Sequence, residues 1–333
     1  MIDWQVATKV GRGLVPIVKP PSVNETRAIV CGLRHAAAKC VSIIQDVTEL
    51  PETGVVPELV VGRRDLVEAN VATAKVLFES LETEATNPFT KASQAARGAS
   101  LGAALALIVP RILGQYDPFG PRPALMLCAP TIYEVEQELR VDPGDFRLWV
   151  ALHEQTHRVQ FANAPWIRDH LMSLLAVLLK DEKNFDLNRL IQSRKSDPDE
   201  PKRPTSMALA AKMVSPESAK ALDQVNAVMG LLEGHADFMM DAVGATVVPS
   251  VKVIRRRFQN RRQKKGWQQI FFKLMGMDAK MVQYRDGARF CRAVIDEVGV
   301  AGLNKVWESK ENLPTLVELQ APLRWLNRVG YGS

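Results

Sequence analysis

Two of the five histidines stand in Ala151-Leu152-His153-Glu154-Gln155-Thr156-His157-Arg158, spaced as a single helix needs them to grip one metal ion. A helix advances by about 100° per residue, so His153 and His157 project from one face with their Cβ atoms roughly 5–6 Å apart. Glu154 lies one residue round from them, beside the ion rather than over it. That position suits a carboxylate that takes a proton from metal-activated water without being a ligand. Phe146, Trp149, Val150, Gln160 and Phe161 lie on or beside the same face, which predicts histidines directed inwards into apolar surroundings.

Two histidines need a third ligand, and Leu232-Glu233-Gly234-His235-Ala236-Asp237 provides candidates in another predicted helix. Val225, Met229, Leu232, Ala236, Met240 and Val243 define an inward stripe there, flanked by Glu233 and Asp237, while His235 points well away from it. A carboxylate pair against an apolar stripe is costly without a compensating charge, and zinc provides one. Glu233 is therefore the predicted third ligand. Asp237 is the predicted acceptor for the ring N–H of a ligand histidine, His153 first among them. Two His and one Glu leave the fourth zinc position for water, as catalysis requires. His235 stays open as a rival ligand or as a donor to an oxyanion, a role for which Tyr284 and Arg285 also come into view.

The elements that position these residues are mostly helices. Ser22 and Glu25 form a capping box ahead of helical apolar spacing from Ile29 to Val47, and Asp65 with Glu68 opens a second helix that can pair with the first as a hairpin. The Ala, Gly and Ser content from Thr90 to Val109 lets helices approach closely, and Leu101 to Val109 reads as a buried helix too short to span a membrane. Leu113 to Pro121 reads as loop, and Ala124 to Ala129 is the best strand candidate, able to pair with an extended peptide as an added edge strand. Thr131 to Arg140 is helical, Asp145 is placed to cap the helix carrying the histidines, and another helix covers Trp166 to Leu179. Helix restarts at Ser215-Pro216 and continues towards Val243. Asp278 opens a later helix, and short ones follow around Pro314 and Pro322.

The 333 residues carry 47% hydrophobic and 24% charged residues, ordinary for a globular chain able to bury a large core. One unit is expected, or two packed subdomains, 1–192 and 207–333, joined by an exposed loop over 193–206 that is rich in Pro and alternating charge. Cys31, Cys40, Cys128 and Cys291 are scattered and show no C-x-x-C spacing, which excludes a thiolate zinc site and favours a reducing compartment. No basic flank with an apolar core opens the chain, so a cytoplasmic location without a membrane is expected. No G-x-G-x-x-G follows a predicted strand, so no flavin or dinucleotide is expected. Much of the net charge of +6 sits in Arg255 to Lys265, read as a solvated helix face because no nucleic-acid-reading motif accompanies it.

With Asp3-Trp4, Leu113-Gly114-Gln115-Tyr116-Asp117, His153-Glu154-Gln155-Thr156-His157, Gln160-Phe161, Glu233-Gly234-His235-Ala236-Asp237, Gln283-Tyr284, Gly287 and Phe290 in that order, the chain resembles the gluzincin branch of zincin metallopeptidases. More narrowly, it is similar to the actinobacterial zincin-like group labelled coenzyme F420 biosynthesis-associated protein or zinc-dependent metalloprotease. The resemblance implies a mainly α (α+β) zincin-like fold with a small sheet beside the histidine helix. It also implies zinc held by His153, His157 and Glu233, Glu154 as base, and a peptide or protein substrate. It carries neither a physiological substrate nor an oligomeric state. The rival expectation is a structural or inactive zinc protein that binds partners through 255–265.

Overall fold

The computed structural model describes residues 2–51, 54–81, 91–182, 215–265 and 284–331. It is mainly helical with a small mixed sheet, as expected. By internal contacts it divides into one unit of Met1–Asn163 with Met239–Lys265, and a second of Ala164–Phe238 with Gly266–Ser333. The 193–206 loop lies outside the described residues.

The first unit opens with α1 (Trp4–Leu14), where the Asp3 side chain accepts from the Val6 N–H, and α2 (Val23–Thr48), started by the Ser22–Glu25 capping box. Strand β1 (Glu58–Val61) then precedes α3 (Arg63–Leu81) and α4 (Lys91–Ile108). The α3 start differs in detail from expectation: the helix begins at Arg63, and Asp65 reaches back to accept from the Gly62 N–H at 3.0 Å. No α2–α3 hairpin forms, because β1 enters the sheet between them; α2 packs on α6 (Pro143–Asn163), and α3 packs on α1 and α4.

The small residues of α4 serve close packing. A Cβ on Gly98 would lie 2.2 Å from the Asp3 carbonyl oxygen, and one on Gly102 2.3 Å from that of Ala7. Helix α4 runs longer than the apolar core of its sequence. Both α2 and Lys91–Arg111 are long and apolar enough, by length and composition, to cross a membrane. Core helices pass the same test, and α2 holds Leu33, Cys40 and Ile44 with no exposure. Leu107 nevertheless faces out, 63% exposed, so the 101–109 run is buried on one side only.

Strands β2 (Gly114–Asp117) and β3 (Ala124–Cys128) complete the sheet in the order β1-β3-β2, with β3 parallel to β1 and antiparallel to β2. Strand β3 is where the sequence put it, and all five of its residues are buried. It is the central strand, however, and both its edges are occupied. It therefore cannot accept a peptide as an added strand, and only β1 and β2 have an outer edge. Strand β2 occupies sequence read as loop.

Helix α5 (Ala129–Leu139) leads into α6. Asp142, not Asp145, caps α6: its Oδ1 accepts from the Asp145 N–H at 2.8 Å, while the Asp145 Oδ2 accepts from the Ser250 N–H. Helix α7 (Trp166–Glu182) belongs to the second unit. Helix α8 (Pro216–Val247) starts at the expected Ser215-Pro216 and runs through the division into the first unit, with a break at Gly244 where φ is +70°. It is followed there by the basic helix α9 (Val251–Lys265).

The second unit also contains α10 (Tyr284–Leu303), α11 (Leu316–Gln320) and α12 (Pro322–Arg328). The expected start at Asp278 lies outside the described residues. In this unit the Arg328 guanidinium grips Glu318 through Nε at 2.6 Å and Nη2 at 3.0 Å. Burial alone would raise the Glu318 carboxyl, but the Arg328 and Thr315 hydrogen bonds outweigh it and hold the group below its ordinary 4.5. A carboxyl depressed in the folded state adds stability above its unfolded value, and that stability is lost as pH falls through the folded one. Arg328→Gln is therefore expected to cost about 1–2 kcal/mol at pH 7. The gap between the urea midpoints of variant and wild type should narrow as pH falls below the carboxyl's ordinary 4.5, leaving the part due to Arg328's bonds to the Glu311 and Leu313 carbonyls, and a gap constant with pH would refute this origin.

Candidate metal centre

Helix α6 is not amphipathic in the expected sense. From Leu148 to Gln160 every residue is buried except His153 and His157, which are half-buried. The two histidines therefore do not point into an apolar interior. Over Leu148–Gln160 they occupy the one partly open line of the helix. Enclosure forces the polar residues of the motif into internal bonds. The Gln155 amide nitrogen donates to the Ala37 carbonyl at 3.3 Å and to the Glu58 carboxylate. The Gln155 oxygen accepts from Arg158 Nε at 2.7 Å, and Arg158 Nη1 donates to the Gly54 carbonyl at 3.1 Å. The helix is thus tied to α2, β1 and the preceding loop.

The two imidazoles converge. Their rings lie edge to face at 4.7 Å, and the two Nε2 atoms are 3.1 Å apart. On its other side His157 donates from Nδ1 to the Gln160 side-chain oxygen at 2.9 Å. A proton fixed on Nδ1 leaves the Nε2 lone pair for a metal. Gln160 was placed near this face by sequence but given no role. Its spacing of three from His157 on a helix was the signal available. Gln160→Leu is expected to weaken zinc binding roughly 10- to 100-fold, with Gln160→Glu retaining or tightening it. Competition with a chromogenic chelator measures this, and an unchanged affinity in the Leu variant would remove Gln160 from the site.

Glu154 is buried, and its Oε2 accepts from the Tyr116 backbone N–H at 3.1 Å. Strand β2 comes so close that a Cβ on Gly114 would stand 2.7 Å from the Glu154 Cγ. The carboxylate is therefore oriented by the main chain of a strand that sequence reading took for loop. Burial raises the neighbouring Tyr116 phenol above its ordinary value, so it stays protonated at neutral pH.

Of the stripe expected on α8, Leu232, Ala236, Met240 and Val243 are buried and Val225 and Met229 half-buried, but burial extends beyond it. Residues 230–232 and 234–236 are buried, whereas Met229, Glu233 and Asp237, at every fourth position, are half-buried. Glu233 and Asp237 share the predicted face. His235 does not point away from the interior: it has no exposure, and its ring packs edge to face on Trp307 at 5.1 Å. Over residues 230–236 the helix is enclosed except at Glu233, so His235 meets no solvent there. Tyr284 begins α10, and its side chain, like that of Arg285, lies outside the described residues. The first unit thus presents the converging His153 and His157, and Glu233 stands on the α8 part of the second.

The basic segment is partly committed to internal bonds. Arg257 donates to the Leu139 and Arg140 carbonyls at 2.8 and 2.7 Å, closing the C-terminus of α5, and Arg261 and Arg255 pair with Glu138 and Asp241.

Over residues 2–326 the chain matches the family described as zincin-like metallopeptidase. It belongs to that family. A crystal structure from Chloroflexus aurantiacus, described as a candidate hydrolase with a novel fold, is similar at 27% identity, with a TM-score of 0.71 and 100% of both chains covered. No curated protein sequence matches. Membership of the zincin-like family implies a metal, typically zinc, and two imidazoles with one carboxylate are a donor set that zinc accepts.

Proposed function

We propose that this zincin-like protein is a zinc-dependent peptidase, with His153, His157 and Glu233 holding the metal and Glu154 moving the proton. The observation that carries the reading is the convergence of two Nε2 atoms beside a buried carboxylate aimed by a backbone amide. Bound zinc supplies Lewis acidity, which makes water more acidic and a carbonyl more electrophilic. Glu154 accepts the proton of the attacking water, holds it while bonded to the Tyr116 N–H, and delivers it to the leaving amine. Gln160 keeps His157 in the tautomer that can ligate. Asp237, on the same line of α8 as Glu233, is the acceptor this reading assigns to the ring N–H of a ligand histidine. Tyr284 is its donor to the developing oxyanion, since His235 is enclosed.

The substrate in this reading is a peptide or protein away from any membrane. The location is a reducing one such as the cytoplasm, supported by four free cysteines, of which Cys40, Cys128 and Cys291 are buried. The narrower kinship with the actinobacterial F420-associated group belongs to the same reading. Zinc analysis coupled to peptide-library cleavage tests it, wild type against Glu154→Gln. Stoichiometric zinc in both, with cleavage in wild type alone and abolished by chelation, is the expected result. Binding of a partner that weakens with salt and ignores chelator, without cleavage, would instead favour an interaction module working through 255–265.

A further inference from the structure

The open line of α6 continues past the histidines. His153, His157 and Phe161 occupy every fourth position and are half-buried, while all residues between them are buried. One turn beyond His157 the line becomes aromatic. The Phe161 ring lies 5.9 Å from that of Tyr116 and 6.1 Å from that of Phe119, edge-on to the latter. Tyr116 precedes Asp117, the last residue of β2, whose Oδ1 accepts from the Phe119 and Gly120 N–H groups, both at 3.0 Å, and whose Oδ2 accepts from the Thr73 hydroxyl. The turn carrying Phe119 is therefore fixed to α3 as well as to β2. Tyr116 joins both features of the site: its backbone orients Glu154 and its ring belongs to the aromatic trio.

Three mutually packed aromatic rings that are each only partly buried leave some apolar surface uncovered beside the histidine line, and such surface marks ligand sites. Its continuity with the histidine line says what covers it. We propose that Tyr116, Phe119 and Phe161 form the subsite for a large apolar side chain, such as Phe or Leu, next to the bond that is cut. This rests on the peptidase reading and adds the substrate class to it.

Two measurements separate the proposals. Fluorogenic peptides differing only in the residue beside the scissile bond should give the wild type a clear preference for Phe or Leu over Ala and Asp. Phe161→Ala should reduce the Phe-over-Ala ratio of kcat/KM roughly 10- to 100-fold, through KM more than kcat, at unchanged zinc content. Phe161→Leu should restore part of it. An equal loss on every peptide, or a wild type indifferent to the side chain, overturns the subsite. Independently of catalysis, a benzyl-bearing hydroxamate should bind zinc-loaded Glu154→Gln more tightly than acetohydroxamate, and Phe161→Ala should erase that difference. Selective binding without any cleavage would keep the subsite and sink the peptidase reading; no selectivity in either assay sinks the subsite alone.

Discussion

Glu154→Gln is expected to lower peptide hydrolysis roughly 10²- to 10⁴-fold while bound zinc and fold remain those of the wild type. The asymmetry follows from what the side chain does. Gln is the same size, and its carbonyl oxygen can still accept from the Tyr116 N–H, so the contact with β2 survives. What Gln lacks is a basic oxygen to receive the proton of water. Metal content should stay put because Glu154 is not among the proposed ligands. Single-turnover cleavage alongside metal analysis checks both halves. A variant that retains more than a tenth of the activity would remove Glu154 from proton transfer, and one that loses zinc would make it a ligand.

The second large effect is on stability. Gly287→Ala would place a Cβ 1.9 Å from the Gly230 carbonyl oxygen and 3.1 Å from the Gly234 Cα, where α10 crosses α8 in the second unit. The obstacle is main chain on a helix, which cannot swing aside as a side-chain tip can. The two helices must separate, at a cost of about 3 kcal/mol, the upper end of the usual range for overpacking. Gly13→Ala is the matching control: nothing lies within 4 Å of its Cβ, and a helical Gly→Ala change there should be neutral or stabilising by about 0.5–1 kcal/mol. Urea unfolding of both variants decides the matter. Equal midpoints would mean that the crossing yields more readily than its geometry indicates.

Local signals in the sequence were legible where the chain makes its own contacts within a few residues. The Ser22–Glu25 capping box, the Ser215-Pro216 helix start and the spacing of His153 and His157 all depend on neighbours three or four positions away. Strands β1 and β2 were not legible, because four residues each give no alternation to detect and their pairing with β3 is settled by distant partners. The apolar Ala124–Cys128 run was recognised for its composition, yet composition does not distinguish a central strand from an edge. The direction of His235 was misjudged for a related reason. A stripe argument assumes one wet side, and the middle turns of α6 and α8 are enclosed on nearly every side, so buried polar residues such as Gln155, Arg158 and His235 carry no periodic signature. The role of Gln160 depends on which way the His157 ring turns, which sequence does not encode by itself.

The amide that orients Glu154 has a consequence for inheritance. A hydrogen bond donated by the main chain at residue 116 is indifferent to the side chain carried there, so drift at that position can alter the ring of the proposed subsite without disturbing the orientation of Glu154. Proline is the one residue that would delete the donor. In the proposed peptidase, selectivity and proton transfer would therefore be mutationally separable at a single residue, so lineages with this arrangement could change what they cut while keeping how they cut it.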